Sequence, residues 1–460
     1  MEKNTSRKPI KATLQEASAE ISRINLNAAG IDIGSRQHAV AVPPGRDPNP
    51  VRMFDTFTGD LNKIVLWLKE CKIDTVAMES TGVYWIPLYE LLEQNGIQAV
   101  LVNARHIKNV SGRKTDILDC QWIQQLHAYG LLSSAFRPDD QTVHLRGYLR
   151  QRQMLIQYTS PHILHMQKAL TQMNLQLHHV IRDITGTTGM KIIRAIVAGE
   201  RDPTILATHR DKRCTNSKEV IAKSLTGNYR EEHLFSLKQA VALYDFYHEK
   251  IKECEQEIEK FLTSYENVVD QETTLLFKQS QTKKADPKHA YPFDLRSLLY
   301  QKFKVDLTAI PGIDASAALT ILSEIGTDMT RWKTAKHFAS WLCLCPGNKV
   351  SGGMRLGGAT RPSANRARRA LELAAFGLHN SKSSLGAMLR RLKVRIGAPK
   401  ATTAVAHKLA RLIYFLIKEG KEYVEMGEDA YQKLHRGRVI KNLRRKAQEL
   451  GFELSPQATA

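Results

Sequence analysis

Residues 28–42, AAGIDIGSRQHAVAV, decide how the first part of this chain folds. Two apolar runs lie on either side of a short glycine-containing polar stretch, which is typical of two strands joined by a tight turn. The following segment VRMFDTFTG, at 51–59, also alternates between apolar and polar residues. The sequence therefore predicts a β-hairpin followed by a third strand.

Helices and strands alternate after this hairpin. The predicted elements are a helix from about Asp60 to Cys71, a strand at 74–80, a helix at 85–96, a strand at 98–104 and a last helix that starts near Thr115. The order β-β-β-α-β-α-β-α is that of an RNase H-like sheet with helices. We therefore expect an α/β RNase H-like domain at the N-terminus.

The pattern becomes helical past Pro138. Residues 143–181 predict a long helix with Pro161 as a candidate kink. A coiled-coil seam with one three-residue stammer follows, formed by Leu234, Leu237, Val241, Tyr244, Tyr247, Ile251, Cys254, Ile258 and Phe261. This seam fits an antiparallel helix hairpin within one chain or a dimer interface equally well.

These changes in pattern predict five segments. They are a flexible polar extension at 1–27, the α/β domain at 28–137, a helical and coiled-coil region at 138–300 with a polar insert near 278–292, a mainly α C-terminal domain at 301–420, and a basic helical tail at 421–460. The N-terminus lacks the apolar core of a secretory signal, and no apolar run approaches the roughly 20 residues of a membrane-spanning helix. We therefore expect a cytoplasmic protein without a membrane partner.

The composition points to a polyanionic partner. The 460 residues include 67 Lys and Arg against 46 Asp and Glu, a formal net charge of +21. Such an excess favours nucleic acid as the partner. The six cysteines show no disulfide-framework spacing, which suits a reducing compartment, and Cys343 with Cys345 lacks the wider ligand spacing of a structural zinc site.

Four carboxylates lie where they could form one site. Asp32 is in the middle of a strand, Glu79 is at the end of another, and Asp116 with Asp119 share one face of a helix at its first turn. If the predicted sheet forms, they converge into an oxygen-lined cavity suited to two Mg²⁺ ions. Taken alone, the helical pair fits a solvated cap, and Glu79 fits a strand-end charge.

A second candidate site surrounds Ser351, which precedes a Gly-Gly pair. Its neighbours include guanidinium groups suited to phosphate contacts, those of Arg355, Arg361, Arg366, Arg368 and Arg369. A serine hydroxyl can attack phosphorus when it is activated. From the residue types alone, a glycine-rich hairpin with a structural serine is the preferred interpretation.

The stretch IPGIDASAALTILSEIG at 310–326 is typical of a helix-hairpin-helix, with Gly312 in its tight turn. Exposed N–H groups at the start of the second helix of such a motif can hold a phosphate without reading sequence. An ordinary turn between helices in an α domain is the alternative.

Several of these stretches together resemble one family. They are GIDIGSRQHAVAV, VAMESTGVYWIPLYELL, NARHIKNVSGRKTDILDCQW, IPGIDASAALTILSEIG and FASWLCLCPGNKVSGGM, which occur in this order between about Ala28 and Phe376. They resemble the DEDD transposases of the insertion-sequence family numbered one-ten, which are relatives of the pilin-gene invertases. The polar N-terminal extension and the insert near Lys278 depart from the family pattern.

The resemblance implies both domains and their chemistry. It implies a RuvC-like N-terminal domain in which Asp32, Glu79, Asp116 and Asp119 form a Mg²⁺-binding tetrad. It also implies a C-terminal transposase domain in which Ser351 is a catalytic serine, and this reverses the preference for a structural serine. Arg113 and Lys114, just before the helical pair, then become candidates for holding the nucleic-acid backbone beside the metal.

The expected function is that of a transposase and DNA recombinase. The resemblance implies a circular DNA intermediate and a structured non-coding guide RNA that pairs with double-stranded target and donor DNA. We expect Mg²⁺-dependent strand cleavage and exchange through a serine–DNA intermediate, carried out by a homo-oligomer, either a dimer or a tetramer. The alternatives are a metal-only RuvC-like junction nuclease and a catalytically degenerate nucleic-acid-binding scaffold.

Overall fold

The computed structural model describes residues 23–80, 82–102, 116–279, 290–347, 349–420 and 422–455. The chain divides into two compact units, residues 1–137 and 138–460. Most of the predicted N-terminal extension and of the insert at 278–292 lies outside the described residues. Among the helices in the described ranges, none is both long enough and apolar enough to cross a membrane.

A mixed sheet of five strands forms the centre of the N-terminal unit. The strands are β1 Ala28–Ile33, β2 Gln37–Ala41, β3 Val51–Asp55, β4 Thr75–Glu79 and β5 Gln98–Val102. They lie in the order β3-β2-β1-β4-β5. The first three pair antiparallel, and β4 is parallel to both β1 and β5. The hairpin and third strand predicted from residues 28–59 are confirmed.

Three helices complete this unit within its described residues. They are α1 Thr58–Glu70, α2 Ile86–Gln94 and α3 Asp116–Ala128. The order of elements predicted from the sequence is therefore confirmed, and the unit is an α/β domain. Helix α1 starts slightly before the predicted Asp60, after Phe57, which makes no side-chain cap.

The two faces of the sheet have different coverings because successive residues of a strand point to opposite sides. Ile31 of β1 and Met78 of β4 join the apolar core that also contains Ile64 of α1 and Leu88 of α2. On the other face, Ala77 of β4 packs in a small cluster with α3. Helix α3 therefore covers the face opposite to α1 and α2.

Gly30 permits the close approach of α3 to the central strand. A Cβ atom at this position would lie 2.4 Å from the carbonyl oxygen of Cys120 and 2.2 Å from the backbone nitrogen of Gln124. The Gln124 side chain also donates a hydrogen bond to the carbonyl oxygen of Ala28, at 3.1 Å. The helix backbone thus lies directly against β1.

The C-terminal unit is helical apart from one hairpin in its described ranges. Its α-helices are α4 Asp140–Gln172, α5 Leu177–Val180, α6 Thr187–Ala198, α7 Pro203–Ala207, α8 Lys218–Ser224, α9 Glu231–Ser264, α10 Gln271–Gln279, α11 Leu295–Phe303, α12 Ala315–Ile325, α13 Ala335–Trp341, α14 Arg366–Gly377, α15 Ser384–Ile396, α16 Ala398–Glu419 and α17 Gly427–Glu449. The hairpin strands are β6 Lys349–Ser351 and β7 Met354–Gly357. The prediction of a mainly helical C-terminal region is confirmed.

The predicted seam of α9 packs against α4 within the chain. The ring centroids of Tyr158 and Tyr247 lie 5.7 Å apart, and those of Tyr148 and Phe261 lie 5.8 Å apart. Because the numbers rise on one helix as they fall on the other, the two helices are antiparallel. Helix α4 continues through Pro161. The antiparallel pair within one chain is therefore the arrangement present.

A buried ion pair joins these two helices between the aromatic contacts. The Nε atom of Arg152 donates to Oε1 of Glu255 at 2.9 Å, and both residues are buried. The guanidinium of Arg152 also lies over the Tyr291 ring, 4.1 Å from its centroid. If one of the two residues is removed, the charge of the other stays buried in an apolar interface, where water cannot compensate for the missing partner.

We predict that Gly30→Ala destabilises the N-terminal unit by about 1 to 3 kcal/mol, since the added methyl group meets helix backbone that has no free space to move into. Hydrogen exchange of the β1 and β4 amides measures this change locally. Gly59→Ala is the matched control, because a Cβ atom there would meet nothing. Equal exchange rates in the two variants would contradict the prediction.

We predict that Arg152→Met lowers the free energy of unfolding by about 3 to 5 kcal/mol, because Glu255 is left as an uncompensated buried charge. The double variant Arg152→Met with Glu255→Leu should recover most of this loss. Urea unfolding of the three proteins gives the comparison. If the double variant is as unstable as the single one, an unpaired buried charge is not the cause of the lost stability. The ion pair itself would then contribute to the free energy of unfolding.

Candidate active site

Asp32 and Glu79 occupy matching positions on adjacent parallel strands. Ile31 of β1 is paired with Met78 of β4, so the next residue on each strand is one of the two acids. Both acids lie on the face covered by α3, since Gly30 and Ala77, two residues earlier, contact that helix. Both are partly buried. The sheet therefore brings two of the four predicted carboxylates to one place.

Helix α3 brings a third carboxylate to this face. Asp119 is partly buried and directly precedes Cys120, which packs on the sheet with Ala39 and Ala41. Burial raises the pKa of the Cys120 thiol to about 12, and the carboxylates of Asp32 and Asp119 add to this increase. Both carboxylates therefore lie close enough to the Cys120 sulfur atom to raise the pKa of its thiol.

The helix begins at Asp116, as predicted, but the side chain of this residue lies outside the described part of the structure. Arg113 and Lys114 also lie outside it. Within the described residues, no group of three or more His, Cys, Asp or Glu side chains is arranged to hold a metal ion. The acids that are described form an acidic group near the carboxyl ends of β1 and β4 rather than a closed ligand cage.

The chemistry of this acidic group fits Mg²⁺. Carboxylate oxygens are the hard ligands that this ion prefers, and in proteins it commonly keeps several waters while binding one or two carboxylates. That Asp32, Glu79, Asp116 and Asp119 hold such an ion stays a prediction.

Ser351 lies at the turn of the hairpin formed by β6 and β7. It is paired with Met354, and the two residues between them, Gly352 and Gly353, have φ angles of 55° and 77°. Two such residues in succession are typical of the tight turns that suit twisted hairpins, and glycine adopts them without strain. The predicted glycine-rich hairpin is present. Its serine is exposed to solvent.

Two of the predicted arginines stabilise the segment that follows the hairpin. Arg361 donates a hydrogen bond to the carbonyl oxygen of Ser340 at 2.8 Å. Arg368 forms an ion pair with Glu372 at 3.0 Å and donates to the carbonyl oxygen of Arg361 at 2.7 Å. These contacts give Arg368 a structural role.

The remaining predicted arginines have different surroundings. Arg366 and Arg369 are exposed in the first turns of α14, where Asn365 caps the helix by accepting a hydrogen bond from the backbone N–H of Arg368. The side chain of Arg355 lies outside the described residues. Arg366 and Arg369 are therefore the members of this group that solvent, or a ligand, can reach most directly.

The turn at Gly312 has a packing reason of its own. Its φ angle is +91°, and a Cβ atom there would lie 2.7 Å from the carbonyl oxygen of Ala374. Helix α12 follows, and its cap Asp314 accepts a hydrogen bond from the backbone N–H of Ala317 at 2.7 Å. The predicted helix ending at Gly326 is confirmed. The phosphate contact of this turn stays a prediction.

Two family models match separate parts of the chain. A model for DEDD transposases of the IS110 type, described as "Transposase", matches residues 29–175. A model described as "Transposase IS116/IS110/IS902 family" matches residues 306–387. The chain belongs to the IS110 family of transposases. A search of curated proteins finds no match.

The family assignment confirms the resemblance found in the sequence and makes this chain a transposase, an enzyme that acts on DNA. The first match contains the four candidate carboxylates, and the second contains Ser351 and the five arginines that follow it. Residues 176–305 and everything after 387 lie outside both matches. Helices α5 to α11, together with α16 and α17, therefore extend beyond the parts recognised as IS110 transposase.

The sequence analysis missed the groups that hold α3 of the transposase in place. His127 and Thr75 are both buried, and Nε2 of the imidazole lies 2.9 Å from the threonine Oγ1. Asn25 adds a hydrogen bond to the carbonyl oxygen of His127, at 2.8 Å. A signal was present, because Cys120, Ile123 and His127 recur at helical spacing and share the face toward the sheet.

We predict that His127 makes the transposase less stable in mild acid. Burial lowers the pKa of this histidine, so below about pH 6.5 the unfolded chain binds the proton more readily than the folded one, and stability falls as the pH falls. The wild type should lose on the order of 1 kcal/mol between about pH 7.5 and 5.5 from this group. Urea midpoints at these pH values give the measurement.

The variant His127→Gln should lose less stability over the same range. The matched control is His379→Gln, since His379 is exposed. We expect the stability of His379→Gln to fall with pH as steeply as that of the wild type. The stability of His127→Gln should fall less steeply. If both variants keep the wild-type slope, His127 is not the group that titrates.

Proposed function

We propose that this transposase cleaves and rejoins DNA strands at a Mg²⁺-dependent site that contains Asp32, Glu79, Asp116 and Asp119, with Ser351 as the residue that becomes linked to DNA. The observation that carries the proposal is the placement of Asp32 and Glu79 on adjacent strand ends beneath Asp119. In proteins with open α/β sheets, ligand-binding and active sites commonly lie at such strand ends.

The topology of the N-terminal unit supports an RNase H-like, RuvC-like assignment. The antiparallel strands β1, β2 and β3 are followed by the parallel strands β4 and β5, in the sheet order β3-β2-β1-β4-β5. This is the order of elements from which that fold was expected. In such a domain, the carboxylates would hold Mg²⁺ ions, which supply positive charge to the phosphate and to the oxygens that attack and leave.

Ser351 is suited to attack because it is exposed at a sharp turn. The glycines after it carry no side chains, so a nucleic-acid backbone can approach the hydroxyl closely. In the proposed step, the serine Oγ forms a bond to phosphorus and gives up its proton, while the bond from phosphorus to a DNA oxygen breaks and that oxygen takes up a proton. The hydroxyl of a second DNA end then reverses the exchange. The bond energy is conserved in the phosphoserine ester.

Two exposed arginines that follow the serine in the sequence support this step. Arg366 and Arg369 lie at the start of α14, where guanidinium groups can contact phosphate oxygens in a bidentate manner. Charge that develops on a reacting phosphate is stabilised best by donors that are already in place. Arg113 and Lys114 are proposed to hold the DNA backbone near the carboxylates.

A structured RNA is proposed to guide the enzyme to its target and donor DNA. The support is the family resemblance together with a net charge of +21 and a sequence without a major-groove recognition motif. We further propose a homo-oligomer, a dimer or a tetramer, because the carboxylates belong to the N-terminal unit and Ser351 to the C-terminal unit. One chain could then supply the acids and another the serine.

We predict that the transposase, purified with its bound RNA, forms a covalent adduct with labelled element-end DNA when Mg²⁺ is present. Ser351→Ala should form no adduct, and Asp119→Asn should lower its yield by roughly 10²-fold or more. The control variants are Ser363→Ala, an exposed serine in the same region, and Asp60→Asn, which pairs with Lys63 on α1. Denaturing gels measure the adduct.

The alternatives give different outcomes. Cleavage that persists in Ser351→Ala without an adduct would identify a metal-only nuclease, and DNA binding without any Mg²⁺-dependent cleavage would identify a scaffold. Mixing Asp32→Ala chains with Ser351→Ala chains tests the exchange between subunits. If the mixture never regains activity, acids and serine act within one chain.

A further inference from the structure

A basic cleft lies between α15 and α17. The cleft between α15 and α17 has a volume of about 810 Å³, and its basic lining residues are Arg390, Arg391, Lys433, His435 and Arg436. These helices belong to the part of the transposase that extends beyond the family matches, except for the first residues of α15. None of the residues that line the cleft belongs to the hairpin of Ser351 or to the four predicted carboxylates.

Two acidic residues, Glu428 and Asp429, also line the cleft, and they are fewer than its basic residues. Glu428 forms an ion pair with Arg390 at 2.8 Å. Arg391 instead donates to the hydroxyl of Tyr431 at 3.1 Å, a neutral partner that leaves its charge in place. The four Lys and Arg side chains of the cleft thus outnumber its two carboxylates, one of which already pairs with Arg390.

Helix α16 adds further positive charge beside α17. Lys408 is exposed at the end of its side chain, but partial burial of its stem lowers its pKa, and the guanidinium groups of Arg411 and Arg438 lower it further. The pKa of His407 is lowered by burial, by Arg411 and by Lys408. The Nε atom of Arg411 is buried and has no hydrogen-bond partner among the described residues.

Helix α17 itself lies at the surface of the C-terminal unit. None of its residues is buried. Between Ala430 and Gln448 the sequence has no Asp or Glu and contains Lys433, Arg436, Arg438, Lys441, Arg444, Arg445 and Lys446. Like charges three and four residues apart destabilise a helix, and here Lys441 faces Arg444 and Arg445. A polyanion alongside the helix would remove this repulsion.

We propose that this cleft and α17 form a second nucleic-acid site, which binds the phosphate backbone of double-stranded DNA without reading its sequence. The partner is identified by charge, since a duplex carries one negative charge for about every 1.7 Å of its length. With 23 residues, α17 is roughly 34 Å long, so its cations can meet many phosphates.

The aromatic residue of the cleft favours a duplex over a single strand. Proteins that hold single-stranded RNA or DNA stack bases on accessible aromatic rings. The Tyr431 ring is already stacked on His435, with centroids 6.3 Å apart, and Arg391 lies over it. The site therefore offers charge to the backbone and no free ring to a base.

The test uses the full chain, freed of RNA, with a short DNA duplex of arbitrary sequence in EDTA. These conditions leave out the proposed catalytic chemistry, so failure of the proposed function does not affect the result. The site variant is Lys408→Gln, Arg436→Gln and Arg438→Gln combined, all exposed positions. The matched control is Lys223→Gln, Lys238→Gln and Lys252→Gln combined, which removes the same charge from exposed positions of α8 and α9.

We expect the site variant to bind the duplex roughly tenfold or more weakly at about 50 mM salt, with the slope of log affinity against log salt reduced by roughly 2 to 3. The control should change that slope by less than about one. Fluorescence anisotropy gives both quantities. Hydrogen exchange of the α17 amides in the wild type should slow when duplex is added. If the triple variant does not fold, the single variant Arg436→Gln replaces it, and duplex should slow the exchange of its α17 amides less than in the wild type.

Three results would overturn the proposal. The first is an equal loss of duplex affinity in the site variant and the control. The second is a loss confined to structured RNA, which would assign the site to RNA. The third is a change in oligomer mass with an unchanged salt slope, which would make α17 a contact with a second copy of the chain.

Discussion

The backbone contact between Gly30 and helix α3 is the constraint on which the candidate site depends. Because position 30 has no side chain, the helix lies against the central strand with Cys120 and Gln124 at its surface. Strand geometry then points Asp32 toward the same helix, and Asp119 follows from the position of Cys120. The closeness of these carboxylates is thus a result of packing rather than of any attraction between them, since like charges repel.

The sequence predicts the local part of this arrangement well. Alternating apolar residues and glycine-containing turns specify the strands and helices of residues 28–128, because these signals act over a few neighbours. It cannot show which strands become neighbours, since the pairing of β1 with β4 joins residues far apart in the chain. For the same reason, the raised pKa of Cys120 and the bond between Thr75 and His127 were not foreseen.

Charged residues show the same limit. The pair of Arg368 and Glu372 has a spacing of four on one helix, and the sequence alone could have indicated it. Arg361 instead binds the Ser340 carbonyl across a loop, and Arg152 finds Glu255 on another helix. A count of arginines therefore overstates how many are open to phosphate. The exposure of Ser351 is also set by tertiary packing, although the glycines after it indicate the hairpin.

The Arg152 and Glu255 pair has a consequence for the shape of the C-terminal unit. Helix α4, with 33 residues, is about 50 Å long. Sliding α9 along it by one turn would separate the two buried charges. The register is therefore locked, and α4 becomes a spacer of constant length. Arg146 and Arg150 fasten one part of it to Glu324 of α12, while Met166 and Leu170 pack with the short helices α6 to α8. These two parts of the C-terminal unit are therefore held at a fixed spacing along α4.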